Sequence, residues 1–305
     1  MNSYVSTGMK LLRHLDQLKK FQEGEKIFPI SLQVAPTSRC NLNCSFCSNA
    51  NREKHEDLDS RKIIDFIDRA KPLTVEWTGG GDPTMYVEMN DLIKYANKRG
   101  FQQGFITNGI QLVEKIPSLK VLKWIRISLN SLDYVKDIEI PKDYYGTLGF
   151  SYVINEKTNS NIIVKLKQYI EKYQPKYVRV VPDCQTTSEQ LDQRNEVYSQ
   201  VVQGWGSPVF YQAKKYSQPK RCWWCWFKPF VLHNGYVYPC SSVVLNDTSE
   251  RTFHKKFRWF SMEEYLEAIK YPPRPFNSDN CSSCVFGQQN ELLEAVLNSE
   301  MEDFV

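Results

Sequence analysis

The chain has 305 residues, 41% hydrophobic and 24% charged, with a formal net charge of +4. That balance is ordinary for a soluble globular protein with one large domain, or one plus a small one. No apolar stretch approaches the roughly 18 residues of a transmembrane helix, and the charge-studded opening residues lack the apolar run of a signal peptide. Nine cysteines without a secretory signal point to the reducing cytoplasm, where clustered thiols serve metal binding or chemistry rather than disulfides.

The chain opens on an amphipathic helix whose Leu11, Leu12, Leu15, Leu18 and Phe21 follow one stripe. The stripe is expected to pack on the domain, and Gly24 and Pro29 end the helix. From about residue 30 strand-like and helix-like stretches alternate. Strands are expected at Ile30–Ala35, Leu73–Trp77, Gln103–Ile106, Lys123–Leu129, Leu148–Ile154 and Tyr177–Val181. Between them, Asp59-Ser60 caps a run with Ile63, Ile64, Phe66 and Ile67. Glu88–Lys98 ends at Gly100, and Thr158–Tyr173 carries Ile162, Ile163, Leu166 and Ile170. Six strands and five crossovers argue for an α/β fold with a parallel sheet, whose ligand sites lie at the C-terminal strand ends.

After Pro182 the pattern changes. A helix over about 188–202 leads into a Trp- and Tyr-rich region. There Phe230–His233, Asn234-Gly235 and Tyr236–Tyr238 read as a hairpin with a type I′ turn. Helices at about 261–270 and 288–298 follow. The expected division is an N-terminal helix at 1–29, an α/β domain at 30–185, and a linker helix with a smaller domain at 186–305.

Charge is uneven. Residues 214–258 hold Lys214, Lys215, Lys220, Arg221, Lys228, Arg251, Lys255, Lys256 and Arg258 against Asp247 and Glu250, a net of +7. Such a segment is either a solvated face or an attractor of anionic substrates, from phosphate esters to nucleic acid. Trp223, Trp224, Trp226 and Trp259 either stack on bases or build a small core.

Seven of the nine cysteines sit in tight groups. Cys40-Asn-Leu-Asn-Cys44-Ser-Phe-Cys47 follows the first strand directly. Its three thiolates suit three corners of a [4Fe–4S] cube, leaving one iron open; zinc with His55 as fourth ligand is the alternative. Cys222-x2-Cys225, Cys240 and Cys281-x2-Cys284 suit a second iron–sulfur cluster or a zinc ribbon.

The Cys-x3-Cys-x2-Cys spacing, with Phe46 before the third cysteine and a strand just before the first, resembles the radical S-adenosylmethionine (radical SAM) superfamily. Three further strand ends are similar to that family. Thr78-Gly-Gly-Gly-Asp-Pro83 resembles the motif that holds the methionyl amino group, with Gly80, Gly81 and Asp82 matching it and Asp in place of the usual Glu. Ile106-Thr-Asn-Gly109 supplies Thr107 and Asn108. Arg126-Ile-Ser-Leu-Asn130 supplies Ser128 and Asn130, an Asn where the family has Asp, at the carboxylate and ribose of SAM. Val181 would pack near adenine. The resemblance covers roughly residues 30–182 and implies a partial (β/α)6 TIM-like barrel, a [4Fe–4S] cluster on Cys40, Cys44 and Cys47, and bound SAM. It implies reductive cleavage to a 5′-deoxyadenosyl radical that abstracts substrate hydrogen, with a flavodoxin- or ferredoxin-type low-potential electron donor.

Cys222-x12-Gly235-x4-Cys240 with Cys281-x2-Cys284 resembles the SPASM/twitch extensions of radical SAM enzymes. This implies a small α+β domain with one auxiliary [4Fe–4S] cluster on Cys222, Cys240, Cys281 and Cys284, Cys225 being the alternative to Cys222. Cys184 lies just beyond the sixth strand, on the expected substrate rim, where a thiol is either a hydrogen-atom donor or a small buried hydrophobe. The expected function is oxidation, epimerisation or rearrangement of a small or peptide-like, anionic substrate. A separate peptide-recognition domain, common in peptide modifiers, has no room before the barrel. The alternatives are modification of a base in DNA or RNA and, remotely, a zinc-stabilised nucleic-acid-binding protein.

Overall fold

The computed structural model describes residue 4 and residues 7–50, 55–246 and 256–298. The N-terminal stripe splits in two, a 3-10 turn at Gly8–Arg13 and helix α1 (Leu15–Gln22). Leu11, Leu18 and Phe21 are buried, while Leu12 and Leu15 face solvent. The tighter three-residue turn before His14 puts the first half of the stripe out of phase with the second.

The expected strands all form, with ends shifted by one residue: β1 (Ser31–Val34), β2 (Thr74–Trp77), β3 (Gln102–Thr107), β4 (Trp124–Ser128), β5 (Thr147–Ile154) and β6 (Tyr177–Pro182). They pair in sequential order, all parallel. Three crossovers carry full helices, α2 (Ser60–Ala70), α3 (Met89–Lys98) and α5 (Ser160–Tyr173). Asp59 caps α2 by accepting from the Arg61 amide, and Asn159 caps α5 by accepting from the Ile162 amide. The β3–β4 crossover has the one-turn α4 (Leu112–Lys115) and a 3-10 turn at Leu119–Val121, and the β4–β5 crossover a 3-10 segment, Leu129–Asp133.

Along β4, Ile125 and Ile127 are buried on the outer face, and the intervening Trp124, Arg126 and Ser128 are partly accessible on the inner one. The sheet is therefore apolar outside, beneath its helices, and polar within, as suits a barrel that receives a ligand.

Helix α6 (Ser188–Gln203) returns the chain to a seventh parallel strand, β7 (Val209–Tyr211), beside β6. Three residues are too short for an alternation to register. On the other edge, β9 (Phe230–Val231) pairs parallel with β1 and antiparallel with β10 (Tyr236–Tyr238), which pairs with β11 (Phe260–Ser261). One ten-stranded sheet thus runs through both halves of the chain. The β9–β10 turn has Gly235 at φ +78°, but Asn234 is not among the positive-φ residues. The Gly235 amide donates to the Leu232 carbonyl at 2.9 Å. This is a three-residue loop with a glycine bulge rather than a type I′ turn.

The remaining elements are β8 (Arg221–Cys222), paired with β12 (Phe276–Asn277), and helices α7 (Trp224–Phe227), α8 (Met262–Ala268) and α9 (Gly287–Leu297). Trp223, Trp224 and Trp226 are buried. Trp226 meets Trp259 edge-on at 4.7 Å and stacks on Tyr265 at 5.8 Å. The tryptophans build a core and are not a base-stacking platform. The basic segment is not one face either: Lys228 pairs with Glu76 at 3.0 Å, Arg221 with Glu294 at 2.7 Å, and Arg258 lies over the Tyr236 ring. Arg251, Lys255, Asp247 and Glu250 fall outside the described residues. Among the described residues no helix is long and apolar enough to cross a membrane.

Candidate active site

Cys40, Cys44 and Cys47 sit half-buried on the loop that leaves β1. The glycine run after β2 is laid directly against this loop. Gly81 N donates to Thr37 O at 2.9 Å and Asp82 N to Arg39 O at 2.7 Å. A Cβ on Gly81 would lie 1.9 Å from Arg39 O, a backbone atom that cannot yield, so only glycine fits. Gly80 is packed under His233 and Leu232 of the β9–β10 turn, within 3.2 Å of where a Cβ would stand.

Asp82 is turned inward and 4% exposed. It accepts from Thr84 N and Oγ1, from Thr107 Oγ1 at 2.9 Å and from Asn108 N at 2.6 Å. Burial pushes its carboxyl above the ordinary value, against the pull of these donors. Asp82 therefore ties the ends of β2 and β3 together. Asn108 carries the tie onward: its Nδ2 donates to Asn41 Oδ1 at 2.7 Å and lies 3.8 Å from Cys40 Sγ.

Asn130, also buried, clamps β4 to β5 through Val153 N and O, and donates to Asp133 at 3.0 Å. Ser128 is half-buried at the same rim, with Oγ 3.5 Å from Asn130 Oδ1. Val181 shares the inner face of β6, and Phe46 is half-buried on the cysteine loop.

Three rim residues were not visible in the motifs. The Ser45 amide donates to the Tyr134 hydroxyl at 3.4 Å, Ser45 Oγ donates to Glu156, and Gln185 Nε2 donates to Ser45 O at 3.3 Å. The cysteine loop is thus braced from the ends of β3, β4, β5 and β6. The thiols feel one another: burial first, then the charges of Cys47 and Cys40, push Cys44 up to about 12. A bound cationic cluster reverses that penalty by taking the thiolates as ligands.

The second cysteine group is drawn from β8, the turn after β10 and the loop before α9. Cys222, Cys240, Cys281 and Cys284 line one small cavity with Trp224, Phe276 and Phe286; Cys225 is not in its wall. Burial, with repulsion from Cys222 and Cys284, holds Cys281 up at about 12, and burial with Cys222 holds Cys284 at about 11. Cys225 is fully buried and its Sγ donates to Cys222 O at 3.1 Å. Two N–H groups face the sulfurs: Asn290 Nδ2 is 3.7 Å from Cys222 Sγ, and Phe286 N is 3.3 Å from Cys284 Sγ. Such donors are what iron–sulfur ligands attract, and no spacing pattern revealed Asn290. Among the described residues no three Cys, His, Asp or Glu side chains converge closely enough to hold a single metal ion.

Residues 34–146 match the model of the Radical SAM superfamily. This stretch, from the end of β1 through β4, belongs to the radical SAM superfamily. The chain is 36% identical over 103 residues to the tungsten-containing aldehyde ferredoxin oxidoreductase cofactor-modifying protein of Pyrococcus furiosus, covering 32% of this chain and 28% of that one. It is 29% identical over 129 residues to mycofactocin maturase MftC of Mycobacterium tuberculosis, covering 41% and 30%. The matches thus span under a third of these relatives' length. Among solved structures, SuiB of Streptococcus suis bound to S-adenosylmethionine has the same fold, with a TM-score of 0.57 at 17% identity, covering 90% of this chain and 73% of that one.

Membership implies a [4Fe–4S] cluster and SAM, and the radical SAM barrel here has a donor set that fits them. Three thiols share one half-exposed loop, and the glycine backbone lies close beneath it. Cys184 stands at the β6 rim. Its thiol, pushed up by burial, lies 3.6 Å from Pro182 O, and its carbonyl accepts from the Tyr216 hydroxyl.

Proposed function

We propose that the chain is a radical SAM enzyme that removes hydrogen from an unactivated C–H bond of a peptide-like or small anionic substrate, with a second, closed [4Fe–4S] cluster handling electrons. Cys40, Cys44 and Cys47 would hold the first cluster. Cys222, Cys240, Cys281 and Cys284 would hold the second. When bound, the first cluster and SAM supply a carbon-centred radical, given one electron from a low-potential donor.

The chain's own residues prepare the place. Asp82 fixes Thr107 and Asn108, and through Asn108 the loop of Cys40. The Gly79–Gly81 backbone is left free of side chains at the edge where the methionyl group would lie. Asn130 fixes the ends of β4 and β5, so that Ser128 presents its hydroxyl to the mouth. The β9–β10 turn, by packing His233 on Gly80, couples the cysteine-rich half to the glycine run.

The observation that carries this reading is the bracing of one three-cysteine loop by the ends of β2 through β6. The four-cysteine cavity supports the second cluster and favours Cys222 over Cys225. A peptide-like substrate is supported by the fold shared with SuiB, solved with its precursor peptide SuiA (TM-score 0.57, 16% identity). Buried tryptophans remove the main support for nucleic acid.

Anaerobic reconstitution tests the reading. About eight iron and eight sulfide per chain are expected from two such clusters, with 5′-deoxyadenosine formed from SAM and dithionite. Two zinc and no sulfide would overturn it.

A further inference from the structure

The barrel interior carries a group of charges that neither cysteine site uses. Strand register sets the inner face. Gln33 pairs with Glu76 and Glu76 with Gly104; Arg126 pairs with Gly149, and Ser128 with Ser151, which pairs with Arg179. The floor of this space is aromatic. Cβ atoms on Gly104 and Gly149 would lie 2.2 and 2.1 Å from the rings of Trp124 and Tyr177, and Tyr4 stacks on Tyr177 at 4.4 Å. These two glycines make room for rings laid across the barrel.

Above the floor the charges do not balance. Glu76 is already neutralised by Lys228 at 3.0 Å and held by Gln33 Nε2 at 2.6 Å. Arg126 and Arg179 each have a buried Nε with no hydrogen-bond partner. Arg126 stands 5.7 Å from the Trp124 ring centroid, and Arg179 Nη1 lies 3.4 Å from Gln212 Oε1. Burial, then repulsion from Arg126, lowers Arg179 to about 9. Burial, then repulsion from Arg179, lowers Lys214, just beyond β7, to about 8. Three cations thus crowd together, and the two guanidiniums each leave a buried donor unmatched, a costly arrangement unless an anion completes it. Guanidinium forks match the oxygens of phosphate or carboxylate.

We propose that Arg126, Arg179 and Lys214 form an oxyanion site inside the barrel that takes the phosphate or carboxylate group of the substrate and so fixes its reacting C–H bond beneath the cysteine loop. Assigning the occupant as substrate rests on the radical SAM reading above. Arg126 and Arg179 sit on the inner faces of β4 and β6 one inner-face step apart in register, with the small Gly149 and Ser151 of the intervening β5 facing them.

The test uses the full chain, reconstituted anaerobically and titrated calorimetrically with inorganic phosphate and, separately, glutarate at constant ionic strength. Saturable binding of at least one anion is expected. Arg126→Gln and Arg179→Gln should each weaken it about tenfold or more, while the exposed control Lys120→Gln leaves it alone. The tighter anion names the substrate group. Arg179→Lys, which keeps the charge and loses the fork, should fall between and covers the case of a glutamine variant that fails to fold. No binding by the wild type, binding that survives both glutamine variants, or equal loss in the lysine control overturns the proposal. So does stoichiometric displacement of the anion by SAM, which would assign the cations to the SAM carboxylate. Formation of 5′-deoxyadenosine by the wild type alone tests the radical SAM reading separately.

Discussion

The two cysteine groups differ in how the chain surrounds them. The first is a half-exposed loop braced from outside, by Asn108 at Cys40, by Tyr134, Glu156 and Gln185 at Ser45, by Gly81 at Thr37 and by Asp82 at Arg39. Its three thiols leave one side open to the barrel. The second is a cavity walled by four thiols and by Trp224, Phe276 and Phe286, with an amide aimed at a sulfur from α9. An open, polar, braced loop suits chemistry on a ligand that comes and goes. A closed apolar pocket suits a cluster that exchanges only electrons.

The largest effect that would break this contrast is on catalysis. Cys44→Ala should drop SAM cleavage to background, a loss of ~10³-fold or more, since cluster affinity rests on each thiolate. About four of about eight iron should remain, measured by iron analysis and EPR. Cys222→Ala should do the reverse, losing the second cluster's iron while reductive SAM cleavage without substrate persists. Cys225→Ala should retain all the iron and cost about 1 kcal/mol of stability as a small core truncation, read by urea denaturation. Iron loss in Cys225→Ala but not in Cys222→Ala would transfer the ligand role.

Legibility in the sequence followed the same divide. The first site was readable because each component is a short local motif at a strand end, and the six parallel strands were readable from alternation. Their roles were less so. Asp82 and Asn130 read as ligand contacts; that Asp82 also ties β2 to β3 and Asn130 ties β4 to β5 was not legible, because which partners a strand-end carboxylate or amide takes depends on the neighbouring strand. Tyr134, Glu156 and Gln185 belong to no motif; they matter because the barrel brings its rim together. In the second site the cysteine spacing left Cys222 and Cys225 equivalent. Cys222 ends β8 while Cys225 lies in α7, which places one thiol in the cavity wall and the other in the core. Strand β7 and the pairing of β9 with β1 are long-range events that no local pattern records.

The bracing residues offer the next test. Asp82→Asn presents an amide N–H₂ to a shell of donors and should cost about 2 kcal/mol, seen in urea denaturation of the metal-free chain, and should loosen SAM affinity through Asn108. Asn290→Asp keeps the acceptor for Trp223 N and Trp224 N, at 2.8 and 3.0 Å, but removes the N–H facing Cys222. Iron content should hold while the second cluster's reduction potential falls, measured by redox titration, because a thiolate that loses a hydrogen bond stabilises the reduced cluster less. An unchanged potential would mean that Asn290 serves the helix alone.

The smallest effect lies between the two sites, in Lys214. Arg179, Arg126 and Cys184 are the charged or titratable groups that bear on it, and burial first, then Arg179, lowers it from the ordinary 10.5 to about 8. Between these two pH values the unfolded chain binds the proton more than the folded one does, so stability should rise with pH across that window, by the linkage relation. Lys214→Met should flatten this rise and leave iron content at both cysteine sites intact. Chemical denaturation at pH steps from about 7 to 10 would show it. A wild-type stability that falls across the window no less steeply than that of Lys214→Met would mean that the lysine already has an anionic partner within the protein. The oxyanion site would then be filled by the chain itself.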